Sequence, residues 1–126
     1  MSNLVWLRML PGGAPRVLEL GGEIDLHTAG ELRGPLQALP GVDVIADLSR
    51  LRFLGAAGLT LLLQTRDQLA ATGHTLHLAC PAPTVRRLIN LFDLAEALPC
   101  WPTVAQARVA AERRHDSSDA TWTGSI

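Results

Sequence analysis

The chain has 126 residues, 48% of them hydrophobic, and 11 basic against 12 acidic side chains give a formal net charge of -1 at pH 7. That length fits one domain able to bury its own core, and mixed charge without a basic stripe excludes a dedicated nucleic-acid surface. The longest apolar runs, around Leu59–Leu63 and Val42–Ala46, fall far short of the ~20 residues that span a bilayer, and Met1–Leu10 lacks a signal peptide's basic start and apolar core, so a cytoplasmic protein with no membrane insertion is expected.

Leu4–Met9 has the apolar and aromatic content of an edge strand, and Pro11-Gly12-Gly13-Ala14-Pro15 is a turn. Arg16–Gly21 supplies a second strand, so the two form an opening hairpin that leaves through Glu23-Ile24-Asp25. Asp25 or Thr28 is placed to cap the helix that follows, because a short side-chain oxygen accepts from the free N–H groups of a first turn. Leu26, Ala29, Leu32, Leu36 and Leu39 give that helix one buried face, and Pro40-Gly41 stops it. Gly34-Pro35 inside it predicts a kink or a late start.

Val42–Leu48 is nearly continuous apolar sequence, broken by Asp43 and reaching Asp47, as in a central strand covered on both faces. A tight loop then leads to a helix from about Ala57 to Ala71, ended by Gly73 as a left-handed cap. Leu59, Leu62, Leu63, Leu69 and Ala70 fall on its buried side. Ala57, Leu61, Gln64 and Gln68 fall opposite, on an uncharged face expected to be exposed. Thr75–Cys80 reads as a strand, and Pro81-Ala82-Pro83 leads into a third helix with Val85, Leu88, Ile89 and Phe92 at core spacing and Arg86 and Arg87 outward. Leu94–Leu98 is a short turn, Pro99–Pro102 a terminal strand, and Thr103 caps a last helix through about Arg113. Residues 115–126, rich in small polar side chains, are expected to form a disordered tail after a domain spanning 1–114.

Chemistry-bearing residues are sparse. Cys80 and Cys100 are too few and too far apart for a structural metal site; each reads as a buried small hydrophobe, with a redox pair as the alternative. His27, His74, His77 and His115 are scattered and make neither a metal spacing nor a catalytic pair. Asp47 has no partner of defined catalytic role and reads as ordering the loop after it. Gly55-Ala56-Ala57-Gly58 after a strand suggests a nucleotide-binding turn, but it lacks both G-x-G-x-x-G and the Gly-Lys-Ser/Thr of a P-loop. No catalysis, metal or cofactor is expected.

Four segments, taken together, carry a resemblance. Gly21-Gly22-Glu23-Ile24-Asp25 with Thr28 resembles a G-E-L/I-D-x-x-T/S segment, and Val44-Ile45-Ala46-Asp47-Leu48-Ser49 a V-x-x-D-L-S strand. Phe53-Leu54-Gly55-Ala56-Ala57-Gly58-Leu59 resembles an F-L/M-D-S-S/T-G-L loop, and Pro83-Thr84-Val85-Arg86-Arg87-Leu88 a P-x-V-x-R-x-L helix. All four stand in the order found in STAS domains, and within them in the bacterial anti-sigma factor antagonists. The resemblance implies an α/β fold, a mixed central sheet of four to five strands with about four helices packed against it.

It also implies a switch that is not an enzyme. In that family the unphosphorylated antagonist binds an anti-sigma factor, a serine kinase of ATP-binding kinase-like fold, and phosphorylation of the loop serine breaks the complex through added negative charge. Here the family's loop aspartate corresponds to Gly55 and its phosphorylatable serine to Ala56, followed by Ala57. No hydroxyl remains between Leu51 and Leu59; Ser49 and Thr60 are the nearest.

The expected partner-binding residues are therefore Glu23, Asp25, Thr28, Gly55, Ala56, Ala57, Gly58 and Leu61, with Ala56 as the unmodifiable counterpart of the phosphorylation site. The implied function is that of an antagonist-like regulator without phosphorylation control. The alternative is a scaffold or subunit of a transporter-associated or stress-signalling complex, with a homodimer or other STAS proteins as further partners. Arg86 and Arg87 suit an anion or a solvated helix face, and Trp122 an anchor for a partner.

Overall fold

The computed structural model describes residues 4–113. Turn chemistry at Pro11–Pro15 folds β1 (Val5–Met9) back on β2 (Arg16–Ile24) as an antiparallel pair. From there every strand is reached through a helix, and every pairing is parallel: β2 with β3 (Val44–Leu54), β3 with β4 (Leu76–Ala79), and β4 with β5 (Cys100–Trp101). The five-stranded mixed sheet keeps sequence order, β1-β2-β3-β4-β5. The connecting helices are α1 (Ala29–Gln37), α2 (Ala56–Ala70) and α3 (Pro83–Leu91), and α4 covers residues 104–113.

Alternation along the strands divides the core. Leu18, Leu20, Val44, Ala46 and Leu78 point to one face, where they meet Leu32 and Leu36 of α1, Leu59, Leu62 and Leu69 of α2, and Val85 and Ile89 of α3. Val17, Ile45 and Ala79 point to the other, against Ala107 of α4, with Val104 and Trp101 beside them. Helix ends follow local chemistry: Pro83 opens α3 at its first turn, where no N–H is needed. Thr103 Oγ1 accepts from the Gln106 N–H at 3.1 Å and caps α4. After α2, Gly73 takes a φ of 80° and the His74 N–H returns to the Leu69 carbonyl at 3.0 Å. Asp43, buried at the start of β3, accepts from the Thr75 N–H at 2.9 Å and ties β3 to β4.

Several expectations are corrected. The strand expected to end near Leu48 continues to Leu54, so residues 49–54 are β structure rather than loop. Between the pairs Glu19↔Asp47 and Gly21↔Arg50 the third strand advances one residue more than the second, and it does so again between Gly22↔Leu51 and Glu23↔Phe53. These two bulges place Leu48, Leu51 and Leu54 on the core side at a spacing of three. Asp47 orders the first: its Oδ1 accepts the Ser49 N–H at 3.0 Å.

Leu26 is 82% exposed because it lies in the turn before α1 rather than on its buried face, and Phe92 is exposed past the end of α3. Ala70 is exposed too. Helix α1 runs through Pro35 without a late start, and the proline is exposed. The expected tail 115–126, with His115 and Trp122, lies outside the described residues.

Gly22 combines a φ of 87° with a close approach: a Cβ there would stand 2.1 Å from the Leu4 carbonyl oxygen. Gly30, in the first turn of α1, faces open space. Gly22→Ala is expected to destabilise the chain by about 1–3 kcal/mol, and Gly30→Ala to stabilise it by roughly 0.5–1 kcal/mol, both measured by urea unfolding.

Candidate functional site

The bulged end of β3 brings the two sequence-predicted clusters together. Glu23 pairs with Phe53 and Ile24 with Leu54, and the Gly55 N–H then donates to the Ile24 carbonyl at 3.0 Å, closing the ladder. The turn after β2 and the start of α2 thus form one surface at the carboxyl ends of the parallel strands, where open α/β sheets place their ligands.

On the β2 side the turn is locked by side chains. Asp25 Oδ1 accepts the N–H groups of His27 at 2.8 Å and Thr28 at 2.9 Å. Thr28 Oγ1 donates to the Glu23 carbonyl at 2.6 Å and accepts the Asp25 N–H at 3.0 Å. Asp25 therefore organises the turn leading into α1 but does not cap the helix as expected: neither its carboxylate nor the Thr28 hydroxyl accepts from a first-turn N–H, because the donors are His27 and Thr28, just before the helix. The Thr28 N–H bond, with further help from His27, holds the Asp25 carboxyl below its ordinary value of 3.8. Thr28 itself is 3% exposed, so its hydroxyl shapes the surface from beneath rather than contacting a partner.

On the β3 side, Gly55 precedes α2 with no side-chain cap. Its carbonyl accepts the Gly58 and Leu59 N–H groups at 3.0 and 3.1 Å. Its φ of -93° is open to any residue, so the backbone does not require glycine here; a Cβ would stand 3.1 Å from the exposed, movable Phe53 ring. Ala56 is exposed at the first position of α2 and Ala57 is half-buried. Gly58 is a packing residue: a Cβ there would fall 2.2 Å from Leu54 Cδ1 and 3.0 Å from Ile24 Cγ2, so only glycine lets α2 sit this close to the strand ends.

Leu61 does not belong to the surface. It is 4% exposed and lies in the main core, because α1 covers the flank of α2 that periodicity leaves opposite the sheet. Gln68 on the same flank donates to the carbonyls of Leu36 and Gln37 at 3.1 and 3.2 Å, joining the helices. The solvent stripe of α2 runs instead through Ala56, Thr60, Gln64 and Asp67. Sequence reasoning missed two exposed apolar side chains at this end, Leu26 and Phe53, the latter 50% exposed. The one signal for Phe53 is its place at the head of the loop motif.

The cysteines do not pair. Cys80 packs with the α4-side cluster and Cys100 with the main core, so they occupy opposite faces of the sheet and both are free. Burial pushes the Cys80 thiol up, and the Asp47 carboxylate adds to that. Among the described residues, no three His, Cys, Asp or Glu side chains stand together as metal ligands would, and no helix is long and apolar enough to cross a membrane.

A family model for the STAS domain matches residues 11–107. The chain belongs to the STAS domain family. This STAS domain is 33% identical over 96 residues to the anti-sigma-F factor antagonist RsfB of Mycobacterium tuberculosis, covering 72% of this chain and 76% of that protein. Its structure matches an anti-sigma factor antagonist from Mycobacterium paratuberculosis with a TM-score of 0.76 and 28% identity, over 86% of this chain and 94% of the other. It shares its fold with a sulfate transporter family protein from Wolinella succinogenes, with a TM-score of 0.64 at 21% identity over 76% and 83% of the two chains.

Asp25→Ala is expected to lower the melting temperature and speed amide exchange at His27 and Thr28. A carboxyl whose folded pKa is depressed stabilises above its unfolded pKa and ceases to as pH falls through the folded value. The gap between wild type and Asp25→Ala is therefore expected in full at pH 7 and to close below pH 3.8, as thermal melts across pH will read.

Proposed function

We propose that this STAS domain is an anti-sigma factor antagonist that engages a kinase-fold anti-sigma factor through the surface formed by the Glu23–Thr28 turn and Gly55–Ala57, without control by phosphorylation. The observation that carries the reading is the exposed Ala56, first residue of α2, beside the ordered Asp25 turn in a chain related to antagonists over most of its length. On this reading Ala56 takes the place of the family's phosphorylated serine, and its methyl group accepts no phosphate. Contact with the partner then cannot be switched off by charge added at that position.

Gly55 fits the same reading. The family's aspartate would cap α2 and present a carboxylate to the partner, whereas glycine here leaves only backbone and the neighbouring Phe53 ring, 50% exposed. Affinity accordingly shifts from charge towards apolar contact at Phe53 and Leu26.

A pull-down from the native host's lysate, read by mass spectrometry, tests this. Wild-type protein is expected to recover a kinase-fold anti-sigma factor and to retain it when ATP and magnesium are added. Ala56→Glu is expected to lose at least ~90% of the recovered factor, the equivalent of about 1.4 kcal/mol. Recovery of a transporter or of other STAS proteins, with no anti-sigma factor, would replace the antagonist reading with the scaffold reading.

A further inference from the structure

The bulged end of β3 and helix α3 enclose a groove of about 460 Å³ next to the proposed contact surface. Its floor and walls are apolar: Phe53 from β3 is 50% exposed, and Leu91 from α3 is 72% exposed. Along α3, Thr84, Arg87, Leu88 and Leu91 follow the spacing i, i+3, i+4 and i+7, so one continuous stripe of the helix faces the groove. Large apolar side chains at such exposure on a groove mark an interaction site more often than an incidental surface.

The charge of the groove is also uneven. Arg52 stands on its strand side and Arg87 on its helix side. No acidic side chain lines the groove beside them; elsewhere Arg8 pairs with Glu19, Arg66 with Asp67, Arg16 donates to the Leu10 carbonyl and Arg108 to the Pro15 carbonyl, while Arg33, Arg50, Arg86 and Arg113 have no such partner among the described residues. Arg52 and Arg87 make no ion pair or hydrogen bond among the described residues. An apolar trough flanked by two unpaired guanidinium groups is complementary to apolar side chains flanked by carboxylates.

We infer that this groove seats an amphipathic helical segment of a partner protein, carrying apolar side chains along one face with Asp or Glu beside them. The stripe from Thr84 to Leu91 is about 10 Å long, which admits roughly two turns of helix and hence three apolar anchors. The inference deepens the antagonist reading, on which it rests for the identity of the partner, by naming the chemistry of a second contact beside Ala56.

The probe is a synthetic amphipathic peptide with Leu on one face and Glu flanking it, set against a counterpart with Lys in place of Glu. Each is titrated into the full isotope-labelled chain and followed by amide chemical shifts and fluorescence anisotropy. The acidic peptide is expected to saturate below about 1 mM, to shift amides of Phe53 and Leu88, and to bind less tightly as salt rises. Arg52→Glu with Arg87→Glu is expected to weaken it at least tenfold, on the order expected for paired charges at a contact. Leu91→Asn, at an exposed position that leaves the core intact, is expected to weaken it as well.

Equal binding of the basic peptide, shifts confined to another face, or no saturation would overturn the inference. Self-association of the chain that the double arginine variant abolishes would assign the groove to a second copy and overturn it too. Because the probe is synthetic, failure to recover an anti-sigma factor from lysate leaves this result standing, and failure of the peptide leaves the antagonist reading standing.

Discussion

The hydrogen bond from the Gly55 N–H to the Ile24 carbonyl, 3.0 Å long, is the constraint on which the surface depends. It closes the parallel ladder between β2 and β3 at the point where β3 gives way to α2. Two bulges in β3 bring Gly55 to that point, and Asp47 supports the first by accepting the Ser49 N–H that leaves the ladder. Gly58 completes the junction, since its missing side chain lets α2 rest on Leu54 and Ile24. Strand end, turn and helix start are thereby held as one rigid piece, and Ala56 is presented at a fixed place beside the Asp25 turn.

That rigidity bears on how such a surface binds. Its polar groups are spent internally: Asp25 and Thr28 satisfy backbone N–H and carbonyl groups of their own turn. What remains exposed beside the turn is largely small or apolar, namely Ala56, Leu26 and Phe53, with His27 and the half-buried Glu23 as the polar side chains. A preformed surface of this kind loses little entropy on association, and nothing in Gly55 or Ala56 lets covalent charge alter it. The antagonist reading accordingly describes binding governed by the amounts of the two partners rather than by modification.

Much of the architecture was legible because apolar periodicity and turn residues agree along most of the chain. The hairpin around Pro11–Pro15, the central strand at Val44–Leu48, the Gly73 cap and the Thr103 cap all rest on local chemistry. The end of β3 was not legible, because the bulges replace alternation with the three-residue spacing of Leu48, Leu51 and Leu54, a pattern that belongs to no regular strand. Leu61 was misplaced for a different reason. A helix buried on two sides by a sheet and a neighbouring helix carries no single apolar face, and the flank against α1 reads as solvent-facing from sequence alone. Which motif residues are exposed, as Ala56 is, and which are buried beneath the surface, as Thr28 and Gly58 are, could be read only from the packing.

The central claim, that this junction is the contact and that ATP does not dislodge the partner, is tested most directly by hydrogen–deuterium exchange. The full chain would be measured alone, with the anti-sigma factor of its host, and with that factor plus ATP and magnesium. The account predicts slowed exchange at residues 24–28 and 53–60 in the complex, unchanged when ATP is present. Slowed exchange elsewhere with none at these segments, or its loss on adding ATP, would contradict it.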